Sequence, residues 1–469
     1  MYYGIVTTLK NVRAHPNADK MKLADCFGNT VCVGLDAAEG EIVIYFPTDG
    51  QLSVEYCAQN DLVRRKDENG NPAGGYLDPE KRNIKAIKLR GEKSDGLTMP
   101  LSSIVYTGVN LDKINIGDQI TVVNGHEICQ KYIPKTQNRT GHVSDGNRTR
   151  KKKVDIAPLF AEHADTEQLA YNLGAFKVGD EIEITLKMHG TSQRTGYLPV
   201  IKGYKRTLWD RIRKREGTPI YDWGYVSGTR RIVLENFDGG FYGSNEFREQ
   251  HSKIFEGKLM KGETVYYEVV GFTHTGAPIM GNGNNEKLGK DFVKKYGKET
   301  VFSYGCSPTG VVTWHEMKGS VPGIIHVDEA PKSDIYVYRM TMTNEDGFVV
   351  EYTPDFMRYR CEQMGIKTVP VFAKIILNEE SRFVENGVST EPGDLGAYVL
   401  KTAELFYDGP DPVGKTHTRE GVVVRIINRP KFAAYKHKCF EFKVLEGLIK
   451  ESASAPDMEE AQETIKEEI

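Results

Sequence analysis

Short runs of alternating apolar and polar residues, separated by glycine-rich turns, fill the first 125 or so residues of the chain. The segment YYGIVTTLKNV alternates as a strand does, and KLADCFGNTVCVGL is typical of a hairpin that turns at Gly28 and Asn29. Further strands are predicted in GEIVIYFP, NIKAIKLRG and GDQITVV. Short strands joined by tight turns predict a small all-β domain, either a closed barrel or a sandwich.

The length of the chain excludes a single ordinary core. At 469 residues it predicts two or three domains, and its 39% apolar and 27% charged residues are typical of a soluble globular protein. No apolar run approaches the length of a membrane span, and the N-terminal MYYGIVTTLKNVRAHP lacks the layout of a signal peptide. Seven cysteines without a CxxC pair favour reduced thiols, so we expect a protein of the cytoplasm, or of the host cytoplasm if a phage encodes it.

The domain boundaries follow from shifts in composition. We predict an OB-fold-like barrel over residues 1–125, a basic linker over 126–155, a mixed α and β domain over 156–450 and an acidic tail over 451–469. The linker contains NRTRKKK, whose cations are suited to phosphate contacts, although a solvated charge run is the alternative. Because the net charge is only −3, any nucleic-acid surface must be local.

One apparent phosphate-binding motif is misleading. GPDPVGKT, residues 409–416, satisfies GxxxxGK[ST], but the mechanism of that motif requires a strand before the loop and a helix after it. Here HTREGVVVRII follows, which predicts a strand, and two prolines remove N–H donors from the loop. We therefore interpret the segment as a surface turn leading into a strand.

The segment EIEITLKMHGTSQRTGYL carries a more specific signal. It predicts a strand that ends at Lys187, followed at once by His189, Gly190 and Thr191. A lysine amine is a covalent nucleophile when it is neutral, which burial and a nearby positive charge favour. A lysine at a strand end is more often merely solvated, so this segment alone is weak evidence.

Four later segments with strand patterns carry charged or aromatic residues in a defined order. They are TVYYEVVG (264–271) with Glu268, SDIYVYRMTM (333–342) with Tyr336 and Tyr338, REGVVVRI (419–426) with Glu420, and CFEFKVLEG (439–447) with Lys443. The order KxHG, ExxG, aromatic strand, EGVVV and lysine strand resembles the covalent nucleotidyltransferases, which include ATP-dependent ligases and capping enzymes. KxHGT resembles the nick-sealing RNA ligase 2-like branch, and an N-terminal β-domain with KAIKLRGEKSDGL (85–97) is similar to a subgroup that has an OB-fold there.

The resemblance covers about residues 1 to 450 and implies an α+β, ATP-grasp-like ligase domain with antiparallel sheets. It implies that Lys187 attacks the α-phosphorus of ATP to form a lysyl-AMP, with His189 near the sugar and the reacting phosphate. Leu186 and Gly190 would also belong to the nucleotide-binding residues. Glu268 would bind the ribose or help to organise a metal.

Further roles implied by the resemblance concern the adenine, the metal and the phosphates. Tyr338 would stack on adenine, with Tyr336 as the alternative. Glu420 would help to bind Mg²⁺ or Mn²⁺. Arg230 would grip the nucleotide, with its neighbour Arg231 as the alternative.

This sequence departs from the family pattern in three ways. Lys443 is assigned to the AMP phosphate, but the expected lysine two residues earlier is Glu441, so Lys436 and Lys438 remain alternatives for this motif. Arg339 stands where an aspartate often follows the aromatic. The segment 273–332 is long for the compact branch and is interpreted as an insertion.

The resulting hypothesis is an ATP-dependent RNA ligase that joins 3′-hydroxyl and 5′-phosphate ends. We expect a nick in duplex RNA, or in an RNA-containing duplex, as substrate, no membrane association, and a monomer. The alternatives are a DNA ligase, a capping guanylyltransferase, and an inactive nucleic-acid-binding protein with the same fold. Lack of an obvious C-terminal OB domain argues against the first two, and intact Lys187, Glu268 and Glu420 argue against the third.

Overall fold

The computed structural model describes residues 2–133, 156–213, 217–234, 237, 245–318, 321–385 and 387–451. The basic run at 134–155 and the tail beyond 451 lie outside the described residues, so their predictions stay untested. The chain divides into two compact units. Unit 1 comprises Met1–Lys135, Gly283–Lys298 and Cys439–Ser452, and unit 2 comprises Thr136–Asn282, Glu299–Lys438 and Ala453–Ile469.

Strands, numbered in chain order, dominate both units. Up to Lys135 they are β1 (Gly4–Thr8), β2 (Lys10–Ala14), β3 (Lys22–Cys26), β4 (Asn29–Val33), β5 (Ile42–Phe46), β6 (Gly50–Leu52), β7 (Arg64–Lys66), β8 (Pro72–Gly74), β9 (Ala86–Leu89), β10 (Glu92–Asp95), β11 (Leu97–Pro100), β12 (Gln119–Ile120), β13 (Val122–Val123), β14 (His126–Glu127) and β15 (Cys129–Lys131). The later strands are β16 (Glu167–Gln168), β17 (Glu181–Lys187), β18 (Thr191–Lys205), β19 (Thr218–Gly228), β20 (Val233–Leu234), β21 (Glu263–Gly271), β22 (Gly283–Asn284), β23 (Glu299–Thr300), β24 (Val311–Lys318), β25 (Val321–Glu329), β26 (Ser333–Thr343), β27 (Val349–Glu351), β28 (Val371–Ile376), β29 (Val384–Glu385), β30 (Val388–Ser389), β31 (Gly421–Ile426) and β32 (Ala433–Lys438).

The helices of the described residues are short. The α-helices are α1 (Val54–Gln59), α2 (Leu208–Ile212), α3 (Glu246–Lys253), α4 (Lys290–Tyr296), α5 (Pro354–Met364), α6 (Leu395–Glu404) and α7 (Phe440–Glu451). Short 3₁₀ helices span Leu101–Thr107, Leu111–Lys113, Leu169–Tyr171, Leu173–Ala175 and Asn285–Leu288. Within the described ranges no helix is both long enough and apolar enough to cross a membrane.

Helix α5 shows how local sequence sets a boundary. The Thr353 side chain accepts a hydrogen bond from the Phe356 N–H, and Pro354 occupies the first turn, where its missing N–H costs nothing. Gly365 ends the helix with φ 69°, a left-handed conformation that glycine adopts without a Cβ penalty. The helix packs Met357, among other residues, into the main core of unit 2.

Unit 1 contains an antiparallel sheet in the order β11-β5-β1-β12 and a second sheet in the order β2-β3-β4. Their core includes Val6, Ile44, Phe46, Leu52 and Tyr56. The N-terminal region is therefore mostly β with antiparallel sheets, although helix α1 and two 3₁₀ helices interrupt the predicted all-β pattern. Among the strand pairs that the structure describes, the hydrogen bonds do not close a barrel, so the OB-fold stays a prediction.

Two later segments pack within unit 1, although both were predicted to belong to the second domain. The Lys88 ammonium donates to the Leu288 carbonyl at 3.0 Å, which ties the segment around α4 to β9. Helix α7 contributes Phe440 and Leu445 to a cluster with Ala86 and Leu288. Unit 1 is therefore not a continuous N-terminal stretch.

Unit 2 contains two large sheets besides its two-stranded ones. The first has the order β16-β32-β31-β17-β28, and the second has the order β20-β19-β18-β21-β26-β27. All pairings within these two sheets are antiparallel except that of β16 with β32. The chain passes from the first sheet to the second through the three residues between β17 and β18. This crossing is the KMHGT turn, so one short loop links both sheets.

The segment predicted as a final lysine strand is a helix. Residues Phe440–Glu451 form α7, and the fully buried Cys439, Phe442 and Leu445 lie three residues apart, as on one face of a helix. The prediction was wrong because FEFKV alternates over five residues and mimics a strand, whereas the helical spacing appears only in a longer window. The strand before it, β32, instead carries the two alternative lysines of this motif.

Candidate active site

Three neighbouring strands of the first sheet of unit 2 bring the predicted nucleophile together with a second lysine. Lys187, the last residue of β17, pairs with Gly421 of β31, and Gly421 pairs in turn with Lys438, the last residue of β32. Glu420 immediately precedes β31. Leu186, which was predicted to bind nucleotide, is 1% exposed and follows the strand alternation away from Lys187, so its side chain belongs to the core.

Glu420 is the centre of this cluster. One of its carboxylate oxygens lies 2.7 Å from the Lys187 ammonium and 3.2 Å from the Lys438 ammonium, and the other lies 3.7 Å from Nδ1 of His189. The side chain of Glu420 is 2% exposed, against 23% for Lys187 and 14% for Lys438. A buried carboxylate thus holds two partly accessible ammonium groups side by side.

Glycines allow the strands and the turn to approach this closely. A Cβ at Gly421 would lie 2.1 Å from the carbonyl oxygen of His437. A Cβ at Gly190 would lie 2.5 Å from the carbonyl oxygen of Val269 and 2.8 Å from Cγ of Glu268. Gly190 was predicted for its freedom to turn near a ligand, and the structure adds that it permits contact with β21.

The second sheet of unit 2 carries the residues predicted to bind the ribose and the adenine. Glu268 on β21 lies opposite Ser192 on one side and Tyr336 on the other. The Tyr338 hydroxyl is 2.9 Å from Oγ of Ser192. Burial and the nearby Glu268 carboxylate raise the pKa of Tyr338, while Ser192 and Arg230 lower it. Tyr338 therefore feels the charges of both Glu268 and Arg230.

Tyr338 is flanked by a histidine that sequence reasoning missed. The His163 ring centroid is 5.1 Å from that of Tyr338, and His163 Nδ1 is 3.1 Å from Nη1 of Arg339. Burial and the guanidinium of Arg339, with Arg230 and other arginines, hold the pKa of His163 well below its usual range. No motif marks this residue, because its position depends on how the segment after the linker folds back.

The two arginines proposed for nucleotide binding share one carboxylate. Nη1 of Arg230 lies 3.4 Å from Asp165, and Nη2 of Arg231 lies 2.9 Å from the other oxygen of the same group. The backbone N–H of His163 also donates to the backbone carbonyl of Arg230 at 3.2 Å. Both arginines thus lie at the Asp165 carboxylate, and the choice between them stays a prediction.

A tyrosine from the predicted insertion supports the KMHGT turn. The backbone N–H of His189 donates to the Tyr304 hydroxyl at 2.7 Å. The His189 ring contacts the Phe302 ring edge-on, with 4.6 Å between the ring centroids. Burial, with the Asp411 carboxylate among other groups, raises the pKa of Tyr304 well above its usual value, so the hydroxyl stays protonated. Two residues of the segment interpreted as an insertion, Phe302 and Tyr304, thus contact the KMHGT turn.

The GPDPVGKT segment, whose phosphate-loop motif is misleading, lies next to Tyr304. It is a turn leading towards β31, as predicted, but it is only partly at the surface: Asp411 is 1% exposed and His417 is fully buried. The Asp411 carboxylate accepts from the N–H groups of Val413 and Gly414, both at 2.8 Å, and the His417 ring lies 4.6 Å from that of Tyr304. The carboxylate already accepts from N–H groups that a phosphate would need, which favours the interpretation of the segment as a turn over that of a phosphate loop.

The structure places Lys443 on helix α7. It belongs to unit 1, where its ammonium is 2.5 Å from the carboxylate of Asp95 and 3.4 Å from Oδ1 of Asn29. Its side chain is 13% exposed and that of Asp95 is 5% exposed. The strand predicted around Lys443 was wrong, whereas its assignment to the AMP phosphate stays a prediction. Lys436 and Lys438, the alternatives for this motif, both lie on strand β32.

The donor set limits how a metal ion could bind. Across the described ranges no group of three or more histidine, cysteine, aspartate or glutamate side chains is arranged to hold a metal. Mg²⁺ commonly binds through one or two carboxylates, with water and substrate phosphates completing its shell. The buried Glu420 carboxylate between Lys187 and Lys438 fits that mode and does not fit an all-protein cage.

Comparisons with known proteins agree with this geometry. No protein-family model and no curated protein sequence matches the chain. Among solved structures, a ligand-free variant of Naegleria gruberi RNA ligase matches with a TM-score of 0.52 and 16% identity, over 94% of this chain and 97% of that chain. A second variant, solved with ATP and Mn, matches with a TM-score of 0.51 and 14% identity, over 94% and 98%.

At this level of identity the likeness shows the fold. It extends over nearly the whole described chain and includes both the β-rich N-terminal region and the sheets that carry Lys187 and Glu420. The chain therefore has the fold of these RNA ligase structures. This likeness is consistent with the ligase fold implied by the order of the sequence motifs, but it does not confirm the N-terminal OB barrel.

Proposed function

We propose that this protein is an ATP-dependent RNA ligase that works through a lysyl-AMP intermediate. The observation that carries the proposal is the Glu420 carboxylate, which lies 2.7 Å from Lys187 and 3.2 Å from Lys438 at adjacent strand ends. A strand-end nucleophile beside a second cation is suited to attack on a phosphate, because negative charge develops on the non-bridging oxygens. The fold of RNA ligase structures supports the same reaction class.

In the first step, the neutral Lys187 amine attacks the α-phosphorus of ATP. The N–P bond forms as the bond to diphosphate breaks, and the amine proton is lost to solvent. Lys438 and Lys436, in place of Lys443, stabilise the charge on the AMP phosphate. AMP then moves to a 5′-phosphate end, and a 3′-hydroxyl displaces it to form the phosphodiester bond.

The nucleotide is held by residues of both sheets of unit 2. Tyr338 stacks on adenine, with Tyr336 as the alternative, and Glu268 binds the ribose. Arg230 contacts the phosphates, and His189 lies next to the reacting centre. The support for these roles is the hydroxyl contact of Tyr338 with Ser192 and the cluster around Glu420.

Glu420 is the residue that would hold a divalent cation, Mg²⁺ or Mn²⁺, together with the phosphates of ATP. When bound, such an ion offsets the charge of the carboxylate and of the phosphates. In the ligand-free chain the carboxylate pairs with Lys187 and keeps this side chain at the strand end. Glu420 therefore positions the nucleophile as well as the cation.

The substrate we propose is RNA, or a nicked duplex that contains RNA, bound by a monomer in the cytoplasm. Unit 1, for which we retain the OB-fold proposal, would help to hold the duplex, since OB-folds bind oligonucleotides through one sheet face. Its proposed boundaries now include residues 283–298 and 439–452. Support for a reducing compartment is the set of seven cysteines without a CxxC pair.

Incubation with α-labelled ATP and magnesium, followed by a denaturing gel, tests the proposal. We expect covalent label on the full chain from ATP, no label from GTP, and no label on Lys187→Ala. A nicked RNA duplex should then be joined with release of AMP.

Each other outcome overturns a defined part of the proposal. Label from GTP would make the protein a capping-type guanylyltransferase. Label from ATP with joining of nicked DNA alone would make it a DNA ligase. Absence of label from both nucleotides would leave a nucleic-acid-binding protein on a ligase fold.

A further inference from the structure

Strands β18 and β19 form a hairpin that extends beyond the rest of its sheet. β18 pairs with β21 only from Thr191 to Gly196, but it pairs with β19 as far as Lys205. Beyond Val200 the two strands form a two-stranded ribbon that ends in α2. We call residues 201–213 and 217–223 the hairpin arm.

The tip of the hairpin arm exposes large apolar side chains. Leu208 is 76% exposed, Trp209 is 67% exposed and Ile212 is 70% exposed, although all three lie on one short helix. Ile220 and Tyr221 on β19 are 49% and 40% exposed. Single exposed apolar residues are common, but a group of this size at a projecting tip indicates a surface for a partner.

Cations surround this apolar tip. The exposed positive side chains of the described arm are Lys202, Lys205, Arg206 and Arg213. The described acidic side chains of the arm are fewer, namely Asp210 and Asp222. The Asp210 carboxylate accepts from the backbone N–H and the hydroxyl of Thr207, at 2.9 and 2.6 Å, in a reciprocal pair at the start of α2. The arm therefore presents positive charge to a partner.

Trp209 and Arg213 form a composite platform. The Arg213 guanidinium carbon lies 5.5 Å from the centre of the Trp209 ring, within the range of a cation–π contact. An exposed aromatic ring next to a guanidinium is suited to an unpaired nucleobase, which stacks on the ring while its phosphate meets the cation. This pairing favours a single-stranded nucleic acid over a protein partner.

The arm is continuous with the catalytic turn. β18 begins at Thr191, directly after Gly190, and ends at Lys205. At about 3.3 Å per residue, this strand spans about 45 Å. Stacked nucleotides advance about 3.4 Å each, so the same distance corresponds to about 13 nucleotides.

We propose that the hairpin arm binds single-stranded RNA that continues from the joined end, with Trp209 stacking on a base and the surrounding cations contacting phosphates. The proposal rests on the proposed function and adds a binding surface for that substrate. It predicts that the arm acts only on substrates long enough to extend from the catalytic turn to its tip.

The test compares two nicked RNA duplexes, one without a tail and one with a single-stranded tail of about 20 nucleotides, longer than the estimated distance. The tail is placed on each side of the nick in turn. In wild-type protein we expect a tail on one side to lower the KM for joining. In Trp209→Ala and in the double variant Lys205→Glu, Arg206→Glu, we expect this benefit to fall about fivefold or more, with tail-free joining unchanged.

Matched controls and a second measurement separate this proposal from the ligase proposal. Phe348→Ala removes another highly exposed aromatic of unit 2, and Arg382→Glu reverses another exposed cation; both should keep the benefit of the tail. Self-adenylation with labelled ATP should be unchanged in all variants. Binding of a labelled single-stranded RNA of about 24 nucleotides, measured without ATP, should weaken only in the arm variants, with a shallower salt dependence for the charge variant.

The outcomes divide clearly. If wild-type protein gains nothing from either tail, or if the arm variants keep the full gain and bind the single strand normally, the proposal is overturned and the apolar tip belongs to a different class of partner. If the arm variants bind an RNA duplex of the same length as weakly as they bind the single strand, relative to wild type, base stacking on Trp209 is overturned. Loss of RNA binding in the arm variants of a protein that never takes label would support the arm and refute the ligase.

Discussion

The carboxylate of Glu420 lies 2.7 Å from the ammonium of Lys187, although 233 positions separate these residues in the sequence. The contact exists because β17 and β31 are antiparallel neighbours and Lys187 lies opposite Gly421. Two strand ends thus place the proposed nucleophile beside the proposed cation ligand. Since Glu420 is 2% exposed, its charge acts in a medium less polarisable than water and affects its neighbours strongly.

Replacing Glu420 by glutamine should abolish most adenylation while leaving the protein folded. The amide keeps the volume and removes the charge that holds Lys187 and would hold a cation. Lys187 and Lys438 retain partial exposure, so water reduces their repulsion in the variant. We expect the rate of labelling by ATP to fall about 100-fold or more, measured across a magnesium titration together with thermal unfolding.

The control is Glu379→Gln, which removes an exposed carboxylate from the same unit. It should adenylate at the wild-type rate. Wild-type rates for Glu420→Gln at every magnesium concentration would contradict the assignment of Glu420.

The two candidate lysines of the last motif can be separated by paired alanine variants. Lys438→Ala removes the ammonium 3.2 Å from Glu420, and we expect adenylation to fall about tenfold or more. Lys443→Ala leaves the Asp95 carboxylate, which is 5% exposed, without its partner at 2.5 Å. We expect a loss of about 3 kcal/mol in stability and little change in the adenylation rate.

Single-turnover adenylation and denaturant unfolding on both variants provide the two readouts. Slow adenylation by a stable Lys443→Ala protein, with normal adenylation by Lys438→Ala, would restore the original assignment of Lys443.

Removing only the hydroxyl of Tyr304 should slow the chemistry. In Tyr304→Phe the buried His189 N–H loses its acceptor at 2.7 Å, and the turn that follows Lys187 is held less firmly. We expect adenylation to fall about tenfold, which corresponds to about 1.4 kcal/mol in the barrier. The KM for ATP should change less than kcat, because the hydroxyl positions the turn and does not bind the nucleotide.

Tyr352→Phe is the matched control, since its hydroxyl also lies in unit 2 but contacts Glu263 at 3.1 Å in the main core. It should reduce stability and leave the adenylation rate unchanged. Equal rates for Tyr304→Phe and wild type would show that the turn does not need this hydrogen bond.

His251 should make the protein less stable in mild acid. Burial lowers the pKa of His251 to about 4 from a usual value of 6.5, although Asp334 opposes the shift. At a pH below 6.5 the unfolded chain therefore binds a proton at His251 that the folded chain does not bind. Unfolding becomes more favourable as the pH falls towards 4. A difference of about 2.5 pKa units corresponds to up to about 3 kcal/mol.

The measurement is the free energy of unfolding by denaturant at about pH 7 and about pH 4.5, for wild type and His251→Gln. Glutamine retains a partner for Oγ of Ser333, which His251 Nε2 contacts at 2.8 Å, but it does not titrate. The variant should lose less stability on acidification than wild type. Equal losses would show that His251 titrates normally in the folded protein.

Much of the site was predictable because its motifs are local. The strand that ends at Lys187, the strand around Glu268 and the EGVVV strand each carry their own alternation, and the structure has a strand in each place. Glycines after His189 and after Glu420 were visible in the sequence as well. The physical reason is that strand periodicity and turn chemistry act over a few residues.

The tertiary structure decided those elements and contacts that depend on residues far apart in the sequence, which local periodicity does not reveal. FEFKV alternates like a strand, yet helix α7 forms because Phe442 and Leu445 share a buried face within unit 1, and Lys443 goes with them to Asp95. Tyr304 reaches His189 across 115 positions, which no local pattern encodes.

The order of the chemistry-bearing strands was therefore determined by the sequence alone. Which lysine stands beside Glu420, and which tyrosine holds the turn, depended on the pairing of β31 with β32 and on the packing of distant segments. Such contacts form between residues far apart in the chain, because burial of apolar surface is not directional and selects partners only when the whole unit folds.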